Sequence, residues 1–215
     1  MDKIAQKYMK TYETAKSLRE NWVPLFEECY EYALPQRESF YNEVAGQRRD
    51  DKIFDETAVV GVQEFASRLQ HGIVPNFARW ADLISGSEVP PEERDAVDND
   101  LDEVTEYVFD IIQNSNFGQE VHESFMDLAV GTGVLAVEEG DALNPIVFSA
   151  IPLPHVVLET GPDDRIDHVY RVRSKVKYVH LELLYPNSTF DPQVMQRMSG
   201  DDTTDVLEVV CRDYS

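Results

Sequence analysis

One stretch, from Asp55 to Leu83, constrains the fold more than any other part of the sequence. Its apolar residues recur mostly at intervals of three and four, which places them on one face of an α-helix: Ala58, Val62, Phe65, Ala66, Leu69 and Ile73. Residues 72–75 begin with glycine and end with proline, a pattern typical of a helix end. The sequence therefore predicts a core helix with Phe65 in the core, close approach of another backbone at Gly61, and an apolar strand or turn at Trp80.

The N-terminal region is also predicted to be helical. From Ile4 to Ala33 apolar residues repeat every three or four positions, which indicates a long amphipathic helix. The ring of Pro24 clashes with the carbonyl group four residues earlier, so we expect a kink or a restart near Asn21. A polar loop at residues 36–52, which contains Gly46, Arg48 and Arg49, is expected before the central helix.

The hydrophobic period changes after Gly131. Before that point the sequence predicts a helix over about residues 88–112, with acidic side chains on its outer face, and then a shorter helix. After it, alternating segments predict strands at Val134–Glu138, Ile146–Ala150, Val156–Glu159, Ile166–Arg173 and Val206–Cys211, and short helices at Lys175–Leu184 and Pro192–Met198. The expected fold class is α+β, with long N-terminal helices followed by a small, mainly antiparallel β domain.

The charge of the chain is strongly negative and unevenly distributed. The formal net charge is −22, and residues 51–170 hold 25 acidic but only 5 basic side chains. Tight nonspecific binding of nucleic acid depends on lysine and arginine, so this surface argues against a protein that grips DNA, although it leaves DNA free to slide past.

No apolar run approaches the roughly 18 residues of a membrane span. We therefore expect a soluble, cytoplasmic protein in which Cys29 and Cys211 are reduced.

Three motifs suggest chemistry, and each has a simpler structural explanation. Residues 131–136 fit the G-x-G-x-x-A dinucleotide fingerprint, but they follow a helix and precede a strand, which reverses the order that phosphate binding needs. The acidic run Asp98–Glu103 lacks the glycine and glutamate positions of a calcium loop. The cluster of Asp163, Asp164, Asp167 and His168 could hold a metal or act as acid and base, but a polar turn explains it more simply. The sequence therefore predicts no catalytic, cofactor or metal site.

One basic feature is a candidate binding surface, which we call the cationic strip: Arg171, Arg173, Lys175 and Lys177. All four side chains share one face if the strand continues through them, whereas the set divides if a helix begins at Ser174. A solvated rim is the simpler explanation. Our hypothesis is that the strip contacts the acidic helix at Asp95–Asp110 of a neighbouring copy, with these residues as its acidic candidates: Asp98, Asp102 and Glu106.

Several motifs occur in an order that is specific when they are taken together. They are Trp22-x-Pro24, Glu31–Pro35, Gly46–Arg49, Ile53–Ala58, Phe65–Leu69, Pro75, Arg79–Leu83, Asn114–Phe117 and Gly131–Leu135. In this order the whole chain resembles the N-terminal part of the portal, or head-to-tail connector, proteins of short-tailed double-stranded DNA phages. Ala81 departs from the pattern, because relatives often have a large apolar or aromatic residue there.

The resemblance implies a structural role without catalytic residues. Such proteins form twelve-subunit rings at one capsid vertex, through which a motor packages DNA and from which DNA leaves during infection. The implied partners are other copies of the chain, the major capsid protein, the terminase motor, tail adaptor proteins and the double-stranded DNA in the channel, with no membrane. The implied location is the virion, after assembly in the host cytoplasm. A helical wing region would span residues 1–118 and an α+β wing region residues 119–215, with the clip, stem and crown beyond residue 215.

A different class of function stays open when only the residues are considered. A soluble acidic binding module, or a hydrolase that uses the cluster at residues 163–168, would be unrelated to capsids. Self-assembly separates the two classes, because a channel subunit must form a closed ring.

Overall fold

The computed structural model describes residues 3–37, 40, 55–197 and 200–212. Within these residues the helices are α1 (Lys3–Arg19), α2 (Val23–Ala33), α3 (Thr57–Ile73), α4 (Arg94–Asn114), α5 (Phe117–Val130), α6 (Leu181–Leu184) and α7 (Pro192–Arg197). The strands are β1 (Leu135–Glu139), β2 (Ile146–Ala150), β3 (Val156–Thr160), β4 (Ile166–Lys177) and β5 (Thr203–Cys211). The α+β fold class, with helices first and antiparallel strands second, is confirmed.

The chain divides into two compact units. One consists of residues 23–154, and the other combines residues 1–22 with residues 155–215. The wing regions expected at residues 1–118 and 119–215 stay a prediction about the assembled protein.

The unit of residues 23–154 is built around α2, α3 and α5. Its buried core consists of Tyr30, Leu34, Ala66, Met126 and Leu153, which come from α2, α3, α5 and the segments that follow them. Strands β1 and β2 form an antiparallel hairpin in which Leu135 pairs with Ala150, and β2 packs against α5. Asn116, just before α5, joins helix to hairpin: its side-chain amide donates to the Phe148 carbonyl at 2.7 Å, and its oxygen accepts from the Phe148 N–H at 2.9 Å.

An extended segment, residues 78–85, lies along α4 in the same unit. The ring of Trp80 packs on Phe109 at 5.2 Å between centroids. The Ser85 N–H donates to Asp98 Oδ1 at 2.7 Å. The segment contains the expected apolar residues, but within the described residues it pairs with no strand. Side chains of α4 therefore hold this segment instead of a sheet.

The other unit consists of α1 on a three-stranded antiparallel sheet of order β3-β4-β5. Ala15 of α1 is buried with Val157 of β3 and Tyr170 of β4. The Tyr170 hydroxyl lies 2.8 Å from both Thr11 Oγ1 and Glu159 Oε2, and burial is the main reason that its pKa rises to about 12. One face of the sheet is thereby covered by the inner face of α1.

Most helix boundaries agree with the sequence, and the interruption near Asn21 is confirmed. Helix α1 ends at Arg19 and α2 begins at Val23, with Pro24 in the first turn of α2, where a missing N–H costs nothing. Cys29 is half-buried and Cys211 is exposed, and neither forms a disulfide bond within the described residues. Residues 38, 39 and 41–52 of the expected polar loop, and Met198 of the last expected helix, lie outside the described residues.

The predicted inner face of α3 is wrong in two respects. Phe65 is 42% exposed, whereas Ala66 and Gln70 are buried and Val62 packs against the core. The apolar residues of α3 cover a wider arc than the helix buries, and contact with α2 and α5 buries the part through Val62, Ala66 and Gln70. The backbone approach expected at Gly61 is also absent among the described residues, because a side chain there would meet no atom within 4 Å.

Candidate interface site

The cationic strip lies on β4, which runs to Lys177, so the start of the helix expected at Lys175–Leu184 is wrong: the α-helix in this region, α6, begins at Leu181. Arg171 pairs with Glu208 of β5 and Arg173 with Val206, but the register then shifts, and Lys177 pairs with Thr203. Lys175 sits within the shift, at φ 56. Because paired residues share a face and faces alternate, this bulge turns Lys177 to the opposite face from the two arginines. The set therefore divides although the strand continues.

The strip has carboxylate partners on the neighbouring strand β5 and in the residues just before that strand. Arg173 Nε lies 2.7 Å from Glu208 Oε1, and Arg171 Nη1 lies 3.4 Å from Glu208 Oε2. The Tyr185 hydroxyl donates to the same carboxylate at 2.5 Å, and burial followed by this bond raises the pKa of Tyr185 to about 12. Lys177 Nζ lies 3.1 Å from Asp201. Much of the charge of the strip is thus balanced within the chain.

The acidic candidates on α4 differ in how they are used. Asp98 accepts the Ser85 N–H, and this bond holds its pKa below the ordinary value. Asp102 pairs with Arg79 of the extended segment. Glu106 is exposed. Two of the three candidates therefore anchor the segment at residues 78–85, and the outermost stripe of α4 lies elsewhere on the helix: Asp100, Glu103, Tyr107 and Asp110.

The cluster at residues 163–168 is a turn with local contacts. Asp163 Oδ2 accepts from Arg212 Nη1 at 2.8 Å, and this bond is the main reason that the pKa of Asp163 is lowered. His168 Nδ1 lies 3.2 Å from Asp167 Oδ2 and 3.3 Å from Glu159 Oε2. Asp164 occupies a positive φ of 58° in the turn between β3 and β4. Among the described residues there is no group of three or more potential ligands placed to hold a metal ion.

A buried polar cluster was not predicted. The Tyr30 hydroxyl donates to Asp127 Oδ1 at 2.5 Å, and both side chains are fully buried. Arg37 lies 3.4 Å from Asp127 Oδ2 and 2.7 Å from Glu123, and it also donates to the Glu123 carbonyl. Burial raises the pKa of Asp127, and burial beside this carboxylate raises the pKa of Tyr30. The only signal in the sequence was the carboxylate of Asp127 beside the apolar stripe of α5. The residues around Asp127 do not indicate that its partner is Tyr30, which lies 97 positions away.

The glycines at 131 and 133 are explained by packing. A side chain at Gly133 would lie 2.4 Å from the Ser124 carbonyl oxygen, and one at Gly131 would lie 3.2 Å from the Phe26 ring. Gly131 ends α5, and β1 begins at Leu135. The G-x-G-x-x-A motif is therefore a tight turn from helix to strand, as predicted. Phosphate binding by this motif would require the opposite order, a strand that leads into a helix.

Comparison with known protein families gives a match along almost the whole chain. A family described as bacteriophage head to tail connecting protein matches residues 5–215. A search of curated proteins gives no match. In the part of the chain that the structure describes, no helix is both long and apolar enough to cross a membrane.

Proposed function

Because the chain belongs to the family of bacteriophage head to tail connecting proteins, we propose that it is a subunit of a ring-shaped channel at one capsid vertex. Its family role is structural and places it in the virion, in association with capsid and tail components. In the proposed ring, the channel serves genome packaging, tail attachment and genome ejection. The observation that carries this proposal is the family match, which covers almost every residue.

The finer proposals concern copy number and partners. Twelve copies, assembled in the host cytoplasm, surround the channel and contact the major capsid protein. The terminase motor and later the tail adaptor proteins dock on the ring, while residues 1–118 and 119–215 form the wing. Double-stranded DNA passes through without being gripped by this part of the protein. The excess of 25 acidic over 5 basic side chains in residues 51–170 supports that last point.

Electron microscopy tests the ring directly. The product of the complete reading frame, purified from a host without phage, is imaged in negative stain. Closed rings with a central hole are the expected result. Uniform monomers at micromolar concentration would refute the channel.

The subunit contact expected from the sequence is a separate proposal. The cationic strip at Arg171, Arg173, Lys175 and Lys177 of one copy contacts Asp98, Asp102 and Glu106 of the next. The structure sets a competing partner for the two arginines, since Glu208 lies within 3.4 Å of both. The contact therefore has to replace or extend these ion pairs.

Charge reversal tests that contact. Replacing Arg171 and Arg173 with glutamate is expected to weaken assembly at physiological salt, because attraction becomes repulsion. The matched control reverses Arg68 and Arg165, two exposed arginines with side chains 80% and 74% exposed. Sedimentation velocity measures both variants, and a thermal melt checks that each remains folded. Unchanged assembly of the first variant would remove the strip from the interface.

A further inference from the structure

Helix α1 presents a basic outer face. Its inner face, with Ala15 at the centre, packs on the sheet, and Lys3, Lys7 and Lys10 are exposed along another side of the helix at positions i, i+4 and i+7. The helix contains five basic residues and one acidic residue. Within the described residues, none of the three lysines forms an ion pair, and Lys7 makes only a contact of 5.8 Å with the ring of its neighbour Tyr8.

Helix α4 presents an acidic outer face. Its inner stripe includes Thr105 and Phe109, both buried. Asp100, Glu103 and Asp110 therefore line the outer side, around Tyr107, which is 68% exposed. The helix contains seven acidic residues and one basic residue. Considering the described residues alone, none of these three carboxylates has a cationic partner, unlike Asp102, which pairs with Arg79.

The two faces are complementary in charge. The lysines recur at intervals of four and three and the carboxylates at intervals of three and seven, so each set keeps to one face of its helix. A ring that closes by head-to-tail contacts needs two different, complementary patches on each copy. In a chain of net charge −22, long-range repulsion opposes the association of two copies, and a basic patch that meets an acidic one offsets this repulsion locally. The cationic strip is largely balanced by Glu208 and Asp201, whereas Lys3, Lys7 and Lys10 form no ion pair within the described residues.

We propose that the outer face of α1 in one copy docks on the outer face of α4 in the next copy. Lys3, Lys7 and Lys10 meet the acidic stripe of Asp100, Glu103 and Asp110. The exposed apolar side chains beside the acidic stripe, Val104 and Tyr107 on α4, are covered in the contact. This inference rests on the proposed ring and assigns to it a contact on a different stripe of α4 from the one proposed for the cationic strip.

Two complementary variants test the contact. The first, K3E/K7E/K10E, makes α1 acidic, and the second, D100K/E103K/D110K, makes α4 basic. Each variant alone sets like charges against each other in every contact, so each is expected to assemble at least about tenfold more weakly than the wild type. An equimolar mixture pairs acidic α1 with basic α4, and native α1 with native α4. The mixture is therefore expected to recover rings in which the variants alternate.

Sedimentation velocity and negative-stain imaging of the complete protein give the readout. All six positions are exposed, so circular dichroism melts are expected to match the wild type. If a reversal lowers the melting temperature, the neutral variants K3Q/K7Q/K10Q and D100N/E103Q/D110N replace it. Wild-type assembly is expected to weaken as salt concentration rises, and assembly of the neutral variants is expected to depend on salt less.

The outcomes separate the proposed ring from the proposed contact between α1 and α4. If the wild type stays monomeric, both the ring and this contact are refuted. If the wild type forms rings and each variant alone forms them equally well, the ring stands and the contact is refuted. If both variants are defective and the mixture does not recover, the two helices do not pair between copies. Recovery in the mixture alone supports the contact and also excludes pairing of α1 with α4 inside one chain.

Discussion

Replacing Tyr30 with phenylalanine removes one hydroxyl group from the core of the unit formed by residues 23–154. That hydroxyl donates to Asp127 at 2.5 Å, and Asp127 has no exposed surface. A hydrogen bond to a charged group contributes about 1.5–3 kcal/mol to stability. Removing the donor also leaves a buried carboxylate oxygen without a hydrogen-bond partner, because water does not reach it. We expect the free energy of unfolding to fall by about 2–3 kcal/mol at neutral pH.

The loss should depend on pH, and its sign follows from Asp127. Burial raises the pKa of this carboxyl above its ordinary 3.8, while the bond from Tyr30 opposes the rise. A carboxyl with a raised pKa in the folded state favours folding below its unfolded pKa, and this stability is lost as the pH rises through the folded pKa. Removing the Tyr30 bond raises that pKa further. The cost of the substitution should therefore be largest at neutral pH and shrink as acid protonates Asp127.

Urea denaturation at several pH values, followed by circular dichroism, measures the effect. The matched control is Tyr32→Phe, which removes the same hydroxyl from a side chain of α2 that is 45% exposed. That control should cost less than about 0.5 kcal/mol, as surface substitutions usually do. A loss in Tyr30→Phe no larger than in the control, or one that grows on acidification, would refute the role assigned to Asp127.

Two further substitutions test other parts of the same unit. Asn116→Ala should lower the free energy of unfolding by about 2–4 kcal/mol, because the N–H and the carbonyl group of Phe148 both lose their partner. The control is Asn114→Ala, which removes a single exposed hydrogen bond to the Asp110 carbonyl. A difference below about 0.5 kcal/mol between the two in urea denaturation would show that the hairpin does not depend on Asn116. Phe65→Ala should cost about 1 kcal/mol in the same measurement, because the ring is 42% exposed, instead of the 3–5 kcal/mol of a buried phenylalanine. A loss of 3 kcal/mol or more would restore Phe65 to the core.

The predictions that succeeded rest on interactions between near neighbours. The break at Pro24, the end of α5 at Gly131 and the antiparallel strands from Leu135 onward follow from ring geometry, backbone freedom and alternation over a few residues. The family resemblance, carried by motifs in a fixed order, is confirmed over residues 5–215. These features were available before any tertiary contact was considered.

The candidate interface could be predicted only in part. The sequence identified the basic residues near Arg171 and the acidic helix α4, because charge is read directly from residue type. It could not show that Glu208 already pairs with Arg171 and Arg173, or that Asp98 and Asp102 anchor residues 79–85. Those assignments depend on which strand lies beside β4 and which segment lies along α4.

The sequence by itself determined the order and type of the elements, the separation of charge between α1 and α4, and the family. Tertiary structure alone decided which part of the apolar arc of α3 faces inward, where the bulge at Lys175 turns the end of β4, and that Tyr30 donates to Asp127. The physical reason is distance along the chain. Periodicity and turn chemistry act over a few residues, whereas a buried pair 97 positions apart forms only when packing brings its members together.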